Sequence, residues 1–403
     1  MSRRLAFTFI LTTVLIDAIG IGIIFPVMPD LLEDVTGATL SQAAMWGGVL
    51  TTSFAVMQFL FGPVVGNLSD RFGRRPVLFA SLGVMSVDYV VMGLTGSIWF
   101  LLAARTMAGV AAATHSTANA FVADISEAED RGRNFGLIGA AFGAGFVAGP
   151  LIGGVLAGID TRAPFWAAAA LAAANLIFGL IVLPESLSTD KRRPFTLARA
   201  NPLSSFAAIR RLPGLRRLLL VTFVYAVTFN VWPAVWSFYG QAAFGWDAWW
   251  IGISLAVFGV AMAVSQATMV APMIRAFGEG RTALIGMFGE IGTYLFYALV
   301  TSGFWALVLT PLTAVGSVAM PALQAMMSQA TPEDQQGELQ GINTSLNALA
   351  MILSPLVMTW IFGVFTAPGA PVRMPGAPFL LSGILMVAAV AIFVARPRAA
   401  AAA

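Results

Sequence analysis

Four ionisable side chains stand in stretches that are otherwise apolar: Asp17 between Leu5 and Phe25, Asp88 in Val87-Asp88-Tyr89, Arg105 in Arg105-Thr106-Met107-Ala108-Gly109, and Glu290 in Gly289-Glu290. A charge is expensive in hydrocarbon, so such residues face a bundle interior or a water-filled cavity and imply a use. A carboxyl that is buried and incompletely paired exchanges its proton nearer to working pH than a free one, as a proton carrier requires. Arginine keeps its proton at any useful pH, so Arg105 would bias a carboxylate or hold an anion. A purely structural salt bridge from Arg105 to Asp17 or Asp88 is the competing reading. These four form the expected proton-coupling set.

Neutral polar groups supply the candidates for substrate. Gln58 in Met57-Gln58-Phe59 is an amide that can both donate and accept. Phe229-Asn230-Val231-Trp232-Pro233, Trp236 and Tyr239 place aromatic faces beside an amide, a lining that suits a flat, partly polar drug. The alternative for Trp232 and Trp236 is an interfacial belt, which ten Trp in the chain invite. Asn343 and Asn347, four apart, share a helix face. His115, the one histidine, is either a hydrogen-bonded packing residue or a coupling group. With no Cys and a single His, disulfides, thiolate nucleophiles and Cys or His metal clusters are excluded, and no metal or cofactor is expected. No phosphate-binding Gly-x-x-x-x-Gly-Lys-Ser/Thr motif is present, and the only lysine is Lys191, which argues against an ATP-driven pump.

The elements that must position these groups follow from composition. In 403 residues, 58% are hydrophobic and 10% charged, with a mean hydropathy of +0.84, the profile of an all-α polytopic membrane protein. Apolar stretches long enough to cross about 30 Å of hydrocarbon number about twelve, at 5–25, 44–66, 77–95, 98–121, 134–157, 163–184, 215–239, 249–272, 281–301, 303–327, 338–364 and 375–395. Of the 22 Lys+Arg, all but Arg105, Arg162 and Arg373 fall in loops sharing a side with Arg3-Arg4 and Arg396/Arg398. Both termini are therefore expected in the cytoplasm. The same topology explains a pI near 9.7, so the expected surroundings are a lipid bilayer and no nucleic-acid partner. Phe25-Pro26-Val27-Met28-Pro29 lacks a small-residue cleavage pattern, so the first apolar run reads as a helix that stays.

One long polar stretch, Glu185 to Arg217, contains Lys191-Arg192-Arg193, Arg210-Arg211 and Arg216-Arg217 and divides the spans six and six. The expected organisation is an N-terminal bundle at 1–184, a cytoplasmic linker at 185–214 and a C-terminal bundle at 215–403. The loop after the second span, Gly66-Asn67-Leu68-Ser69-Asp70-Arg71-Phe72-Gly73-Arg74-Arg75-Pro76, has a degraded echo after the eighth, Met273-Ile274-Arg275-Ala276-Phe277-Gly278-Glu279-Gly280-Arg281. Two six-helix halves of common ancestry are the design this implies. The bases of 66–76 can serve as simple anchoring, but Asp70 exceeds that role, because it can cap a helix or pair with an arginine across the bundle interface. Its expected partners are the start of helix eleven, Gly337-Glu338-Leu339-Gln340-Gly341, or Arg131. Glycines four apart in 145–154 let a neighbouring helix come close, and Pro150 removes a backbone donor.

Gly-x-Leu-Ser-Asp-Arg-Phe-Gly-Arg-Arg-Pro resembles the signature loop of the major facilitator superfamily. Arg105-Thr106-Met107-Ala108-Gly109 is similar to its intramembrane arginine motif. Gly145-Phe146-Val147-Ala148-Gly149-Pro150-Leu151-Ile152-Gly153-Gly154 resembles the motif of its drug/proton antiporters. Leu15-Ile16-Asp17-Ala18-Ile19-Gly20-Ile21-Gly22, Val87-Asp88-Tyr89, Trp246-Asp247 with Ile251-Gly252-Ile253-Ser254-Leu255, and Met320-Pro321-Ala322-Leu323-Gln324-Ala325-Met326 resemble tetracycline/proton antiporters. The resemblance implies two six-helix bundles in a bacterial-type inner membrane, exporting amphipathic, tetracycline-like drugs in exchange for protons, as a monomer. It implies transport roles for Asp17, Asp88 and Glu290, substrate contact at Gln58, and gating by Asp70, Arg71, Arg74, Arg131, Gly149 and Pro150. Two departures stand out. Glu290 occupies a place where those proteins usually have Asp, and Met262, in Phe258-Gly259-Val260-Ala261-Met262, replaces a histidine that many of them carry. The alternatives are a proton-coupled importer of a sugar or metabolite, and a non-transporting membrane sensor.

Overall fold

The structure, a computed structural model, describes residues 3–112, 114–127, 129–196, 200–202, 209 and 212–395. Arg199, Arg210, Arg211, Arg396 and Arg398, part of the expected linker and terminal charge, lie outside the described residues. Every element described is helical. In the first half these are α1 (Arg3–Ile24), α2 (Met28–Thr36), α3 (Leu40–Phe72), α4 (Arg74–Leu94), α5 (Ile98–Ala111), α6 (Thr114–Ile125), α7 (Arg131–Ala157) and α8 (Ala163–Val182). In the second they are α9 (Arg216–Phe229), α10 (Val231–Phe244), α11 (Ala248–Thr268), α12 (Val270–Leu299), α13 (Gly303–Thr313), α14 (Ala319–Gln329), α15 (Gln336–Thr366) and α16 (Ala377–Val394). Eleven described stretches are long and apolar enough to cross a membrane. The twelfth crossing is made by α5 and α6 together, of 14 and 12 residues, each too short alone.

Three spans expected to be continuous are broken. The fourth parts after Ala111, with Ala112 out of helical conformation. The seventh breaks at Asn230, where Pro233 offers no N–H to the Phe229 carbonyl and the Asn230 side chain donates to Ala226 O at 2.7 Å. In the tenth, a 3-10 turn at Ala314–Val318 separates α13 from α14, between Pro311 and Pro321. The two halves also share a local conformation that the loop echo anticipates. Gly73 has φ 109, ψ 161 and Gly278 has φ 74, ψ 165, each ending one helical segment and starting the next; a residue with a Cβ would be strained at either.

The halves meet through α3 with α15, α7 with α11, and the turn Phe25–Val27 and α2 with α10. These contacts crowd the side away from the termini. Ser237 Oγ donates to Phe25 O at 2.6 Å, Gln241 Nε2 to Asp30 Oδ1 at 2.6 Å and Thr52 Oγ1 to Ile352 O at 3.1 Å. On the terminal side the glycines of α7 at 132, 136, 139 and 143 face open space.

Further along α7 the glycines are in backbone contact. A Cβ on Gly145 would come within 2.7 Å of Ala18 Cβ, and one on Gly149 would lie 2.6 Å from Ile19 O and 2.7 Å from Gly22 Cα. Gly252 of α11 is pressed against the Pro150 carbonyl. The small residues therefore let α7 lie directly on the helix that carries Asp17 and on the opposite half at once. Gly149→Ala should overpack this contact at a cost of about 1–3 kcal/mol, read as a lower melting temperature in detergent. A variant as stable as the parent would show that α1 and α7 can separate freely.

Candidate functional site

A cavity of about 540 Å³ lies between the halves, above the closed side. Its wall takes Asp17 and Ile21 from α1, Phe54 and Gln58 from α3, Tyr89 from α4, Arg105 from α5, Thr114 and His115 from α6, Phe142 and Phe146 from α7, Asn230, Ser237 and Phe238 at α10, and Met351 and Pro355 from α15. That volume and mostly apolar lining suit a drug-sized organic molecule.

Charge within it is unevenly compensated. Arg105 forms a buried two-point ion pair with Asp88, one arm at Nε to Oδ1 of 3.2 Å, and its guanidinium lies over the Phe54 ring at 5.4 Å. The structural salt bridge weighed from the sequence is thus made to Asp88 and not to Asp17. Asp17 faces the cavity and makes no hydrogen bond or ion pair among the described residues. Behind it the Tyr89 hydroxyl is buried without a partner among the described residues, against Gly20, where a Cβ would sit 2.9 Å from the phenol oxygen. With Asp88 and Arg105 cancelling each other, Asp17 is the one uncompensated carboxyl in the wall.

The break in the fourth span sits on the cavity. Gln58 Nε2 donates to Ala112 O at 3.4 Å, supplying a partner to a carbonyl at the helix end, so its amide both repairs the break and faces the lumen. Just past the break, His115 is exposed to the cavity and meets Phe142 edge to face at 5.3 Å. Phe142 stacks on Phe146 at 6.1 Å, and Phe146 meets Phe25 at 5.7 Å. The result is a wall of four aromatic rings. Of these, only His115 is singled out by sequence type. The phenylalanines carry no local signal, because any phenylalanine of an apolar span reads as core or lipid contact.

Several expected substrate residues lie elsewhere. Trp232 and Trp236 are inside the second half, packed with Tyr297 and Phe379 at 5.0 to 6.3 Å and neither lining the cavity nor forming a belt. Their helix presents Asn230, Ser237 and Phe238 instead, since Trp232 and Trp236 sit one residue off that stripe, a rotation of about 100° that points them into the bundle. Met262, Asn343 and Asn347 are also outside the lining; Asn347 Nδ2 donates to Asn343 O at 3.0 Å, and Asn343 is buried. Glu290 is buried in the second half, apart from the cavity. Tyr225 donates to its Oε1 at 3.4 Å, and the Tyr294 hydroxyl also bears on the carboxyl.

At the terminal side of the first half lies the expected gating cluster, with different partners. Arg74 donates to Asp70 Oδ1 at 2.6 Å and to Asp124 Oδ2 at 3.2 Å. Asp70 thus pairs within its own loop, whereas the sequence pointed to the start of the eleventh span, now α15, or to Arg131. Arg131 donates to Ala123 O at 3.4 Å, and Arg71 lies over the Phe72 ring at 5.1 Å. The residue that sequence reading missed is Glu185. Its carboxylate accepts from Arg74 N at 2.8 Å and Arg75 N at 3.2 Å, capping α4 across 111 positions of sequence. Only its place directly after the sixth span, in Pro184-Glu185-Ser186, could have marked it. Gly73 fits here because a Cβ would collide with that carboxylate.

The sequence pattern of the Major Facilitator Superfamily matches residues 10–309 and 218–403. The chain is 43% identical to the tetracycline resistance protein, class C, of Escherichia coli, over 90% of this chain and 91% of that protein. To the class G protein of Vibrio anguillarum it is 38% identical, over 86% and 88%. The crystal structure of the human organic anion transporter MFSD10 superposes with a TM-score of 0.69 at 25% identity, covering 98% of this chain and all of that one. A sequence pattern spanning both halves, relatives aligned nearly end to end and the twelve-crossing fold agree: the chain belongs to the Major Facilitator Superfamily.

Proposed function

We propose that this transporter exports tetracycline-like drugs across the bacterial inner membrane in exchange for protons. It is a secondary transporter, not an enzyme. The observation that carries the reading is a drug-sized cavity whose single uncompensated carboxyl, Asp17, faces a wall of aromatic rings. Similarity to tetracycline resistance proteins over most of the chain supports the substrate class.

In this reading residues 1–184 and 215–403 are the two moving halves, 185–214 is their cytoplasmic linker, and both termini are cytoplasmic. The cavity is then open to the cytoplasm and sealed on the outside by Ser237–Phe25 and Gln241–Asp30. Drug enters from the cytoplasm and docks on the His115–Phe142–Phe146 wall with Gln58 and Asn230 within reach. Asp17 exchanges a proton with the cavity water, and Arg105, already neutralised by Asp88, sets the field around it. Glu290 serves proton coupling from within the second half. The Asp70–Arg74–Asp124–Glu185 cluster sets the angle between α3 and α4, and its rearrangement accompanies closure of the cytoplasmic side. The protein works as a monomer.

Transport by everted vesicles carrying the protein tests the core of this reading. Asp17→Asn and Glu290→Gln keep shape and delete the charge, so each should abolish tetracycline uptake driven by a pH gradient while leaving the protein folded. Parental rates in both variants would remove these residues from the coupling path. Asp70→Asn should cut turnover sharply yet leave drug affinity in detergent nearly unchanged, because the cluster is remote from the cavity; lost affinity with normal turnover would contradict this. Gln58→Ala should weaken tetracycline binding by about 1–3 kcal/mol, measured by calorimetry, from the loss of an amide partner. An unchanged affinity would place the drug elsewhere in the cavity.

A further inference from the structure

Among the described residues, Glu290 is the only carboxyl buried in the apolar interior of the second half, and nothing cationic faces it. The helices α10, α11, α13, α14 and α16 and the 3-10 turn 314–318 contain no Asp, Glu, Lys, Arg or His. On its own helix Arg281 is about 13 Å away along the axis, and on α9 the arginines 216 and 217 sit about 12 Å along from Tyr225. The titratable groups that bear on Glu290 are two phenols, Tyr294 one turn on in α12 and Tyr225 from α9.

Tyr225 stands between two acceptors. Its hydroxyl lies 3.4 Å from Glu290 Oε1 and 3.5 Å from the carbonyl oxygen of Gly316, in the turn that breaks the tenth span. A phenol has one proton to donate, so it can satisfy only one of them at a time. Its ring is fixed by stacking on Phe229 at 6.2 Å and 10°, which leaves rotation of the O–H as the free coordinate. Glu290 also touches that turn directly, since a Cβ on Gly316 would come within 2.7 Å of Glu290 Cδ.

We infer that Tyr225 is the positioning residue that passes the protonation state of Glu290 to the broken segment of the tenth span. The inference rests on the reading that Glu290 takes part in proton coupling. With Glu290 protonated, the carboxyl carries its own O–H, and the Tyr225 proton serves the Gly316 carbonyl. When the carboxyl O–H breaks, the proton leaves to water and the electron pair stays on the carboxylate, which becomes an acceptor only. The Tyr225 O–H then turns to the carboxylate, and Gly316 O keeps only the Ala319 N–H of its own turn. A 3-10 turn between two prolines lacks the full set of α-helical bonds, so it is the part of that span that shifts most easily.

The test is Tyr225→Phe in the full-length protein, which removes the donor and keeps the ring. Tetracycline transport driven by a pH gradient should fall at least about tenfold, the effect of one hydrogen bond to a charged group. Tetracycline exchange at equal pH on both sides, and its binding affinity, should stay at parental values. By infrared difference spectroscopy, the carboxyl C=O band that vanishes in Glu290→Gln should change in frequency and in the pH at which it disappears. Should Tyr225→Phe fail to fold, fluorotyrosine placed at 225 keeps the shape and alters the donor, and the same band should move. Parental pH-driven transport with an unmoved band overturns the inference. An equal loss of exchange and of driven transport also overturns it, by assigning Tyr225 to structure alone. If Glu290→Gln itself keeps parental pH-driven transport, the failure lies with the proposed coupling by Glu290.

Discussion

Hydrocarbon offers a charged group two tolerable situations, a partner at contact distance or a path to water, and this protein uses both within one half. Asp88 has its partner in Arg105. Asp17 has no partner among the described residues and is placed on the cavity wall instead. Removing Arg105 would leave Asp88 buried without its counter-charge, which makes the pair a fixed feature of the scaffold. Asp17 is different in kind, because only water and whatever enters the cavity compensate it. Much of the arrangement of helices around the cavity can be read as the means of keeping those two situations apart.

Close helix approach is one of those means. The glycines of α7 bring its backbone against Leu15, Ile19 and Ile23 of α1, so the helix carrying Asp17 has little room to rotate. The same helix meets α11 through the Pro150 carbonyl and Gly252, and this joins the position of Asp17 to the seam between the halves. Where α7 no longer has a close neighbour, its glycines face open space, and the seam becomes the mouth of the cavity. One helix thus holds the acid in place along one part of its length and lines the opening along another.

Broken helices are the second means. A span through lipid must satisfy its own backbone, so a break is tolerated only where side chains or a cavity supply what the helix loses. Gln58 does this at Ala112, and Asn230 does it for Ala226. In the tenth span Tyr225 and Glu290 gather at the turn. Each break therefore coincides with a polar side chain that the sequence marks as out of place in an apolar segment. The Glu185 cap on α4 applies the same rule at the membrane edge, where the first amides of the helix need an acceptor and a remote carboxylate provides it.

The amino-acid sequence by itself determined the class of protein, the number of crossings, the superfamily and the set of buried charges, because hydropathy, glycine spacing and isolated ionisable residues are local properties written along the chain. It also marked 66–76 and its echo at 273–281 as corresponding loops in the two halves. Only the tertiary structure decided which of the polar groups meet. Asp88 rather than Asp17 takes Arg105, Asp70 turns to Arg74 in its own loop, and Trp232 and Trp236 enter an aromatic core while Phe142 and Phe146 form the wall. Helical periodicity leaves each of these side chains on a known stripe but does not say what faces that stripe. The facing surface comes from helices distant in sequence, and a shift of one residue, a 100° rotation on a helix, moves a side chain from cavity to core.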